Sequence, residues 1–171
     1  RCELQSGPRH LRFCPDRKYL YLLYELKNVI DVYRFHEEEG GDEVSLEKIQ
    51  TISTFLEKDR DPLIAACQMR FSPDKDASHL FVSNAGINTI SIYDRDLKTG
   101  LLTMKGSLPI GGEYPKDFCI FPDEKHIAVA NNESGTITFL NVDYEHGLLS
   151  MSARELEVDE PNSICMVKCR E

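Results

Sequence analysis

Several things are scarce in this chain. No apolar run approaches the roughly 20 residues that a helix needs to cross a bilayer. No signal peptide is visible, and the chain opens on Arg1 rather than methionine, which fits removal of an upstream portion, a leader included. Basic charge is in deficit: 20 Lys and Arg against 29 Asp and Glu give a net charge of −9. Such a chain lacks the positive field that nucleic-acid binding needs, and an anionic membrane surface repels it. A small anion can still bind where basic groups converge locally, because net charge governs partners of whole-protein size. No C-x-x-C pair occurs among Cys2, Cys14, Cys67, Cys119, Cys165 and Cys169, so no metal site is expected. Cys14, Cys67, Cys119 and Cys165 fall in strand-like apolar runs and are expected as reduced, buried core cysteines. That fits a cytoplasmic location. No segment of adequate length shows a helical period of 3.6 residues.

What the chain does have is a repeat. Pro8-Arg9-His10-Leu11-Arg12-Phe13-Cys14-Pro15-Asp16 returns as Ala66-Cys67-Gln68-Met69-Arg70-Phe71-Ser72-Pro73-Asp74, and again as Pro115-Lys116-Asp117-Phe118-Cys119-Ile120-Phe121-Pro122-Asp123. A fourth, incomplete copy starts at Pro161 and runs through Asn162, Ser163, Ile164, Cys165, Met166 and Val167. The starts lie 58, 49 and 46 residues apart, and periods of about 40–50 residues mark propeller blades. After each Pro-Asp come a short apolar run, a turn rich in Asn or Gly, an alternating run with β-branched residues, a second turn and a closing run. The closing runs are Leu46 to Thr54, Leu101 to Leu108 and Leu148 to Leu156. In the first copy the second turn is swollen by Glu37 to Glu43, which is expected as a solvated hairpin loop.

The expected fold is all-β: a partial β-propeller over residues 1–171, with four-stranded antiparallel blades at about 8–57, 66–108 and 115–158 and an orphan inner strand at 161–169. Phe13, Phe71 and Ile120 are expected in the core. A lone inner strand needs strands from elsewhere. The open blade faces are therefore expected to be covered by missing upstream blades or by a second copy of the chain.

Blade geometry also places the chemistry. The first two strands of a blade form a hairpin with Pro-Asp at its turn, so the start of the first lies beside the end of the second. This sets Arg9 and His10 near Glu25. In blade two the same places hold Cys67, Gln68, Asn84 and Ala85; in blade three they hold Lys116, Asp117, Asn131 and Asn132. Inner strands line the channel, so these groups converge at one mouth. A ring-opening hydrolysis needs a base for water and a donor for the developing oxyanion. Glu25 fits the first role. Arg9 fits the second, or holds a carboxylate or phosphate with help from His10 and Lys116. The alternative is that Arg9 and Glu25 are a structural ion pair, with Asn84 and Asn131 serving as turn formers.

The run Gly7 to Tyr21 with Glu25-Leu26 after it resembles the propeller-type 6-phosphogluconolactonase family, which also includes a carboxymuconate cycloisomerase. Phe81-Val82-Ser83-Asn84, Tyr114-Pro115-Lys116-Asp117-Phe118 and Ala128-Val129-Ala130-Asn131 are similar to its later blades. The resemblance implies a seven-bladed ring of which this chain is roughly the C-terminal half. It also implies hydrolysis of an anionic sugar-acid lactone such as 6-phosphogluconolactone, with no cofactor. It places catalysis on Arg9, Glu25 and His10, with Lys116, Asn132 and Asn84 as candidate substrate contacts. Two positions depart from the pattern. Ala85 stands where the family's Ser-Asn-Arg-Gly has arginine, and Lys116 stands where it has Pro-Arg. A non-catalytic binding or scaffold propeller, or a cycloisomerase acting on another carboxylated lactone, are the competing readings.

Overall fold

The computed structural model describes residues 2–37 and 44–167. Three antiparallel sheets follow one another along the chain. The first holds β1 (Pro8–Phe13), β2 (Tyr19–Tyr24), β3 (Val29–Glu37) and β4 (Val44–Ser53). The second holds β5 (Ala65–Phe71), β6 (His79–Ala85), β7 (Thr89–Arg95) and β8 (Leu102–Pro109). The third holds β9 (Pro115–Ile120), β10 (His126–Asn131), β11 (Thr136–Asp143), β12 (Leu148–Met151) and β13 (Leu156–Glu157). Each sheet is an up-and-down meander, as a propeller blade requires.

The repeated residues make the repeated turns. Asp16, Asp74 and Asp123 each accept hydrogen bonds from backbone N–H groups at the tip of the first hairpin. A residue of that tip is left-handed in every blade: Arg17, Ala77 and Glu124. The second turn has its own left-handed position, filled by Asn28, Asn88 and Gly135. These residue types reach positive φ at low cost. The loop expected at Glu37 to Glu43 lies, beyond Glu37 itself, outside the described residues.

Two cores lie between the blades. Tyr21, Leu23, Ile30 and Val32 pack against Met69, Leu80, Val82 and Tyr93. Phe81, Ile90 and Ile92 pack against Phe118, Ile127, Val129 and Leu140. Face-to-face stacking of blades, rather than a central core, therefore excludes water.

Four expectations need correction. Phe13 is 42 % exposed rather than buried. Its counterpart Phe71 packs edge-on against Tyr21 of the preceding blade, with ring centroids 5.3 Å apart. Phe13 has no preceding blade in this chain; its ring meets Phe35 of its own sheet edge-on. The closing run of blade three is not one strand, because residues 152–155 leave the sheet between β12 and β13, both of which pair with β11. Residues 161–167 form no regular secondary structure and pair with no strand among the described residues, since no second strand of a fourth blade lies beside them; residues 168–171, Cys169 included, lie outside the described set. Cys165 in this segment is exposed, whereas Cys14, Cys67 and Cys119 are buried.

Candidate active site

The inner strands β1, β5 and β9 each begin with a bulge. Pro8 pairs with Tyr24 and His10 with Leu23, which leaves Arg9 as the extra residue. Ala66 pairs with Asn84 and Gln68 with Ser83, which leaves Cys67. Pro115 pairs with Asn131 and Asp117 with Ala130, which leaves Lys116. A bulge re-aims the side chain of its extra residue. Here the same device operates three times at one end of the channel, on a guanidinium, a thiol and an ammonium group.

Arg9 uses its fork on two elements. Nη1 lies 2.9 Å from Glu25 Oε2, and Nε donates to the Cys67 carbonyl at 2.6 Å. Glu25 sits just past the end of β2, where its N–H donates to the Gly7 carbonyl at 2.7 Å and its own carbonyl accepts from Ala66 N–H at 3.4 Å. Both side chains of the pair keep about a third of their surface, 29 % for Arg9 and 31 % for Glu25. The pair is thus formed and still open to a ligand. Among the described residues, Arg9 Nη2 makes no hydrogen bond.

Cys67 lies at the centre of this group. Burial pushes its thiol up, with the Glu25 carboxylate adding to the shift while the charges of Arg9 and Lys116 oppose it. Lys116 is half-buried, with Nζ 5.9 Å from the centroid of the Tyr114 ring. Tyr114 takes a left-handed backbone at φ 58°. Asn88 Oδ1 accepts from its N–H at 2.9 Å, and its carbonyl accepts from Asn132 N–H at 2.9 Å. Burial raises its hydroxyl, and the neighbouring Cys67 and Glu25 add to that rise. In the sequence Tyr114 stands out only as part of the family-like run Tyr114 to Phe118, not as a site residue. Cys67 was visible as the register mate of Arg9 and Lys116.

His10 belongs to the next layer down the channel. Burial holds its imidazole below the usual histidine range, and the Arg9 charge acts in the same direction. In the same layer Asp117 is 4 % exposed. Its carboxylate accepts from Gln68 Nε2 at 2.9 Å, Arg70 Nη2 at 2.9 Å, Ser163 Oγ at 3.0 Å and Ile164 N–H at 3.0 Å. Burial acts to raise this carboxyl, but those hydrogen bonds prevail and hold it below the ordinary carboxylate range.

Two expected substrate contacts fall elsewhere. Asn84 is fully buried. Its amide donates to the Thr54 carbonyl at 2.9 Å and also reaches Thr89 and Ser91 Oγ. It therefore clamps the crossover from blade one instead of facing the channel mouth. Asn132 is half-buried and donates to the Pro161 carbonyl at 3.4 Å, beside a hollow of about 500 Å³ lined with Glu133, Asp159 and Glu160. An acidic hollow of this kind repels an anionic substrate.

Comparison with known proteins places this geometry. Residues 1–167 match the model of the family described as lactonase, 7-bladed beta-propeller. The chain is 31 % identical over 163 residues to a 6-phosphogluconolactonase of Formosa agariphila, covering 94 % of this chain and 43 % of that protein. It is 26 % identical over 160 residues to the 6-phosphogluconolactonase of Bacillus subtilis, covering 91 % of this chain and 43 % of that one. Among solved structures, the periplasmic gluconolactonase of Pseudomonas aeruginosa superposes with a TM-score of 0.80 at 26 % identity, over 93 % of this chain and 42 % of that one. A protein from Lactobacillus plantarum superposes with a TM-score of 0.82 at 28 % identity, over 95 % and 45 %. The chain therefore spans less than half the length of the relatives it matches. Three stacked meander blades, the bulged inner strands and the family match lead to one conclusion: the chain belongs to the family of seven-bladed β-propeller lactonases.

Proposed function

We propose that the ring to which this chain contributes hydrolyses an anionic sugar-acid lactone of the 6-phosphogluconolactone kind. The observation that carries this reading is the Arg9–Glu25 pair, held on a bulge at the channel mouth and one-third exposed on both sides. Relatives named 6-phosphogluconolactonase support it.

In this reading Glu25 takes a proton from a water molecule as the water oxygen bonds to the lactone carbonyl carbon. The negative charge that develops on the carbonyl oxygen faces the Arg9 guanidinium. Collapse breaks the ring carbon–oxygen bond. The leaving alkoxide takes the proton back from Glu25, which releases a hydroxy acid and restores the carboxylate. Lys116 meets the anionic group of the substrate as a point charge, and the Tyr114 ring walls the site beside it. The apolar faces at Leu11 and Phe13 and at Met151 are covered by upstream blades or by a second copy of the chain.

The test is hydrolysis by the assembled ring of 6-phosphogluconolactone against unphosphorylated gluconolactone. Preference for the phosphorylated lactone is expected, and Lys116→Gln should raise KM for that substrate alone. Hydrolysis of neither lactone would overturn the reading. It would favour a second one, a non-catalytic binding propeller, to which the Arg9–Glu25 contact at 2.9 Å also conforms as a strand-tying ion pair.

A further inference from the structure

The channel is built in layers, because the inner strands share one register. Below the Arg9–Cys67–Lys116 layer lies His10–Gln68–Asp117–Ser163. Two residues further along each strand lies Arg12–Arg70–Cys119–Cys165. Side chains at equivalent positions of neighbouring strands touch: Gln68 Nε2 meets Asp117 at 2.9 Å, and Ser163 Oγ meets Asp117 at 3.0 Å. The Ser163–Asp117 hydrogen bond therefore fixes how residues 161–167 lie beside β9. Cys165 and Cys119 each follow a member of that bonded pair by two residues. The two cysteines therefore stand at the same offset from that bond. Both thiols line one cavity of about 450 Å³ at the channel end opposite Glu25, with Arg12 and Arg70 beside them. The Cys165 sulfur is also among the groups that shift the Cys119 thiol upward, after burial and Asp117.

We propose that Cys119 and Cys165 are a redox pair whose disulfide fastens the 161–167 segment to the inner strand of blade three. The two residues differ in the way such a pair needs. Cys165 is exposed and can meet an oxidant, whereas Cys119 is buried and can only resolve what Cys165 has started. With a glutathione disulfide as oxidant, the Cys165 thiolate attacks one of its sulfurs and releases one glutathione thiolate. The Cys119 thiolate then attacks Cys165 Sγ and releases the second. The protein loses two protons and two electrons, and the disulfide is reduced to two thiols. Closure needs Cα atoms about 4.4–6.8 Å apart. The Ser163 and Ile164 hydrogen bonds to Asp117 hold residues 161–167 against β9, directly before the position from which Cys165 must meet that limit. The cross-link closes a long loop and so constrains the unfolded chain.

The experiment is native oxidation of this chain with glutathione disulfide, followed by peptide mapping, with Cys165→Ser as the control. Cys165 is exposed, so its replacement leaves the fold in place. The expected result is a dominant Cys119–Cys165 cross-link and a Tm that rises by several degrees on oxidation of the wild type only. Dominant pairing of Cys165 with Cys169, or a stable glutathione adduct on Cys165 with Cys119 still free, would overturn the proposal.

Discussion

Arg9 Nη1 and Glu25 Oε2 lie 2.9 Å apart and join the first inner strand to the end of the strand beside it. The same guanidinium donates to the Cys67 carbonyl of the next blade. Lysine at this position keeps the charge but loses the planar fork, so it cannot serve both partners. Arg9→Lys is expected to lower kcat for lactone hydrolysis by about 10²–10³-fold, with a smaller change in KM. Steady-state kinetics on the assembled ring measure both.

Asp117 joins three inner segments through one buried carboxylate. Its removal leaves Arg70 without its ion-pair partner and frees Ser163 and Ile164. Asp117→Ala is expected to destabilise the protein by about 3–5 kcal/mol. Urea unfolding measures this, and an unchanged midpoint would show that the carboxylate holds nothing.

Asn84 separates a structural role from a binding role. Its amide clamps the Thr54 carbonyl at zero exposure. Asn84→Ala is expected to cost about 1–3 kcal/mol through the carbonyl and hydroxyl groups left unpaired. KM for the lactone should not move, since Asn84 does not face the channel mouth.

Acid stability should fall in two steps. His10 has a folded pKa below the ordinary value of about 6.5, because burial and Arg9 favour the neutral ring. The unfolded chain then binds the proton more readily. Stability from this group is complete above the ordinary histidine range and is lost as pH falls through it. Asp117, whose carboxyl is lowered, adds a second loss as pH falls below the ordinary value of about 3.9. His10→Gln is expected to shrink the first step and leave the second. His79, lowered mainly by burial, accounts for what remains of the first. Unfolding curves across this pH range give the comparison.

The blades were legible because they repeat. The Pro-Asp element fixes a turn with its own carboxylate, and Asn28 and Asn88 fix another by tolerating a left-handed backbone, so local chemistry alone sets the strand boundaries. The Arg9–Glu25 contact followed from hairpin geometry, which needs no side-chain detail. Other features depend on what packs against what. Phe13 and Phe71 occupy the same repeat position, yet only Phe71 has a preceding blade to bury it. Asn84 and Asn132 read alike as candidate substrate contacts, but one faces a crossover carbonyl and the other faces an acidic rim. Tyr114 was not legible as a site residue, because its place depends on a left-handed backbone anchored by Asn88 and Asn132 from two other turns.

The central claim is that Glu25 activates the water. The direct measurement is kcat for 6-phosphogluconolactone hydrolysis by the assembled ring with Glu25→Gln, alongside circular dichroism to confirm the fold. Glutamine keeps the shape and a hydrogen bond to Arg9 but cannot take a proton. The account predicts a loss of about 10²–10⁴-fold in kcat with an unchanged spectrum. Undiminished turnover in a correctly folded variant would contradict it and leave the Arg9–Glu25 pair as a structural tie.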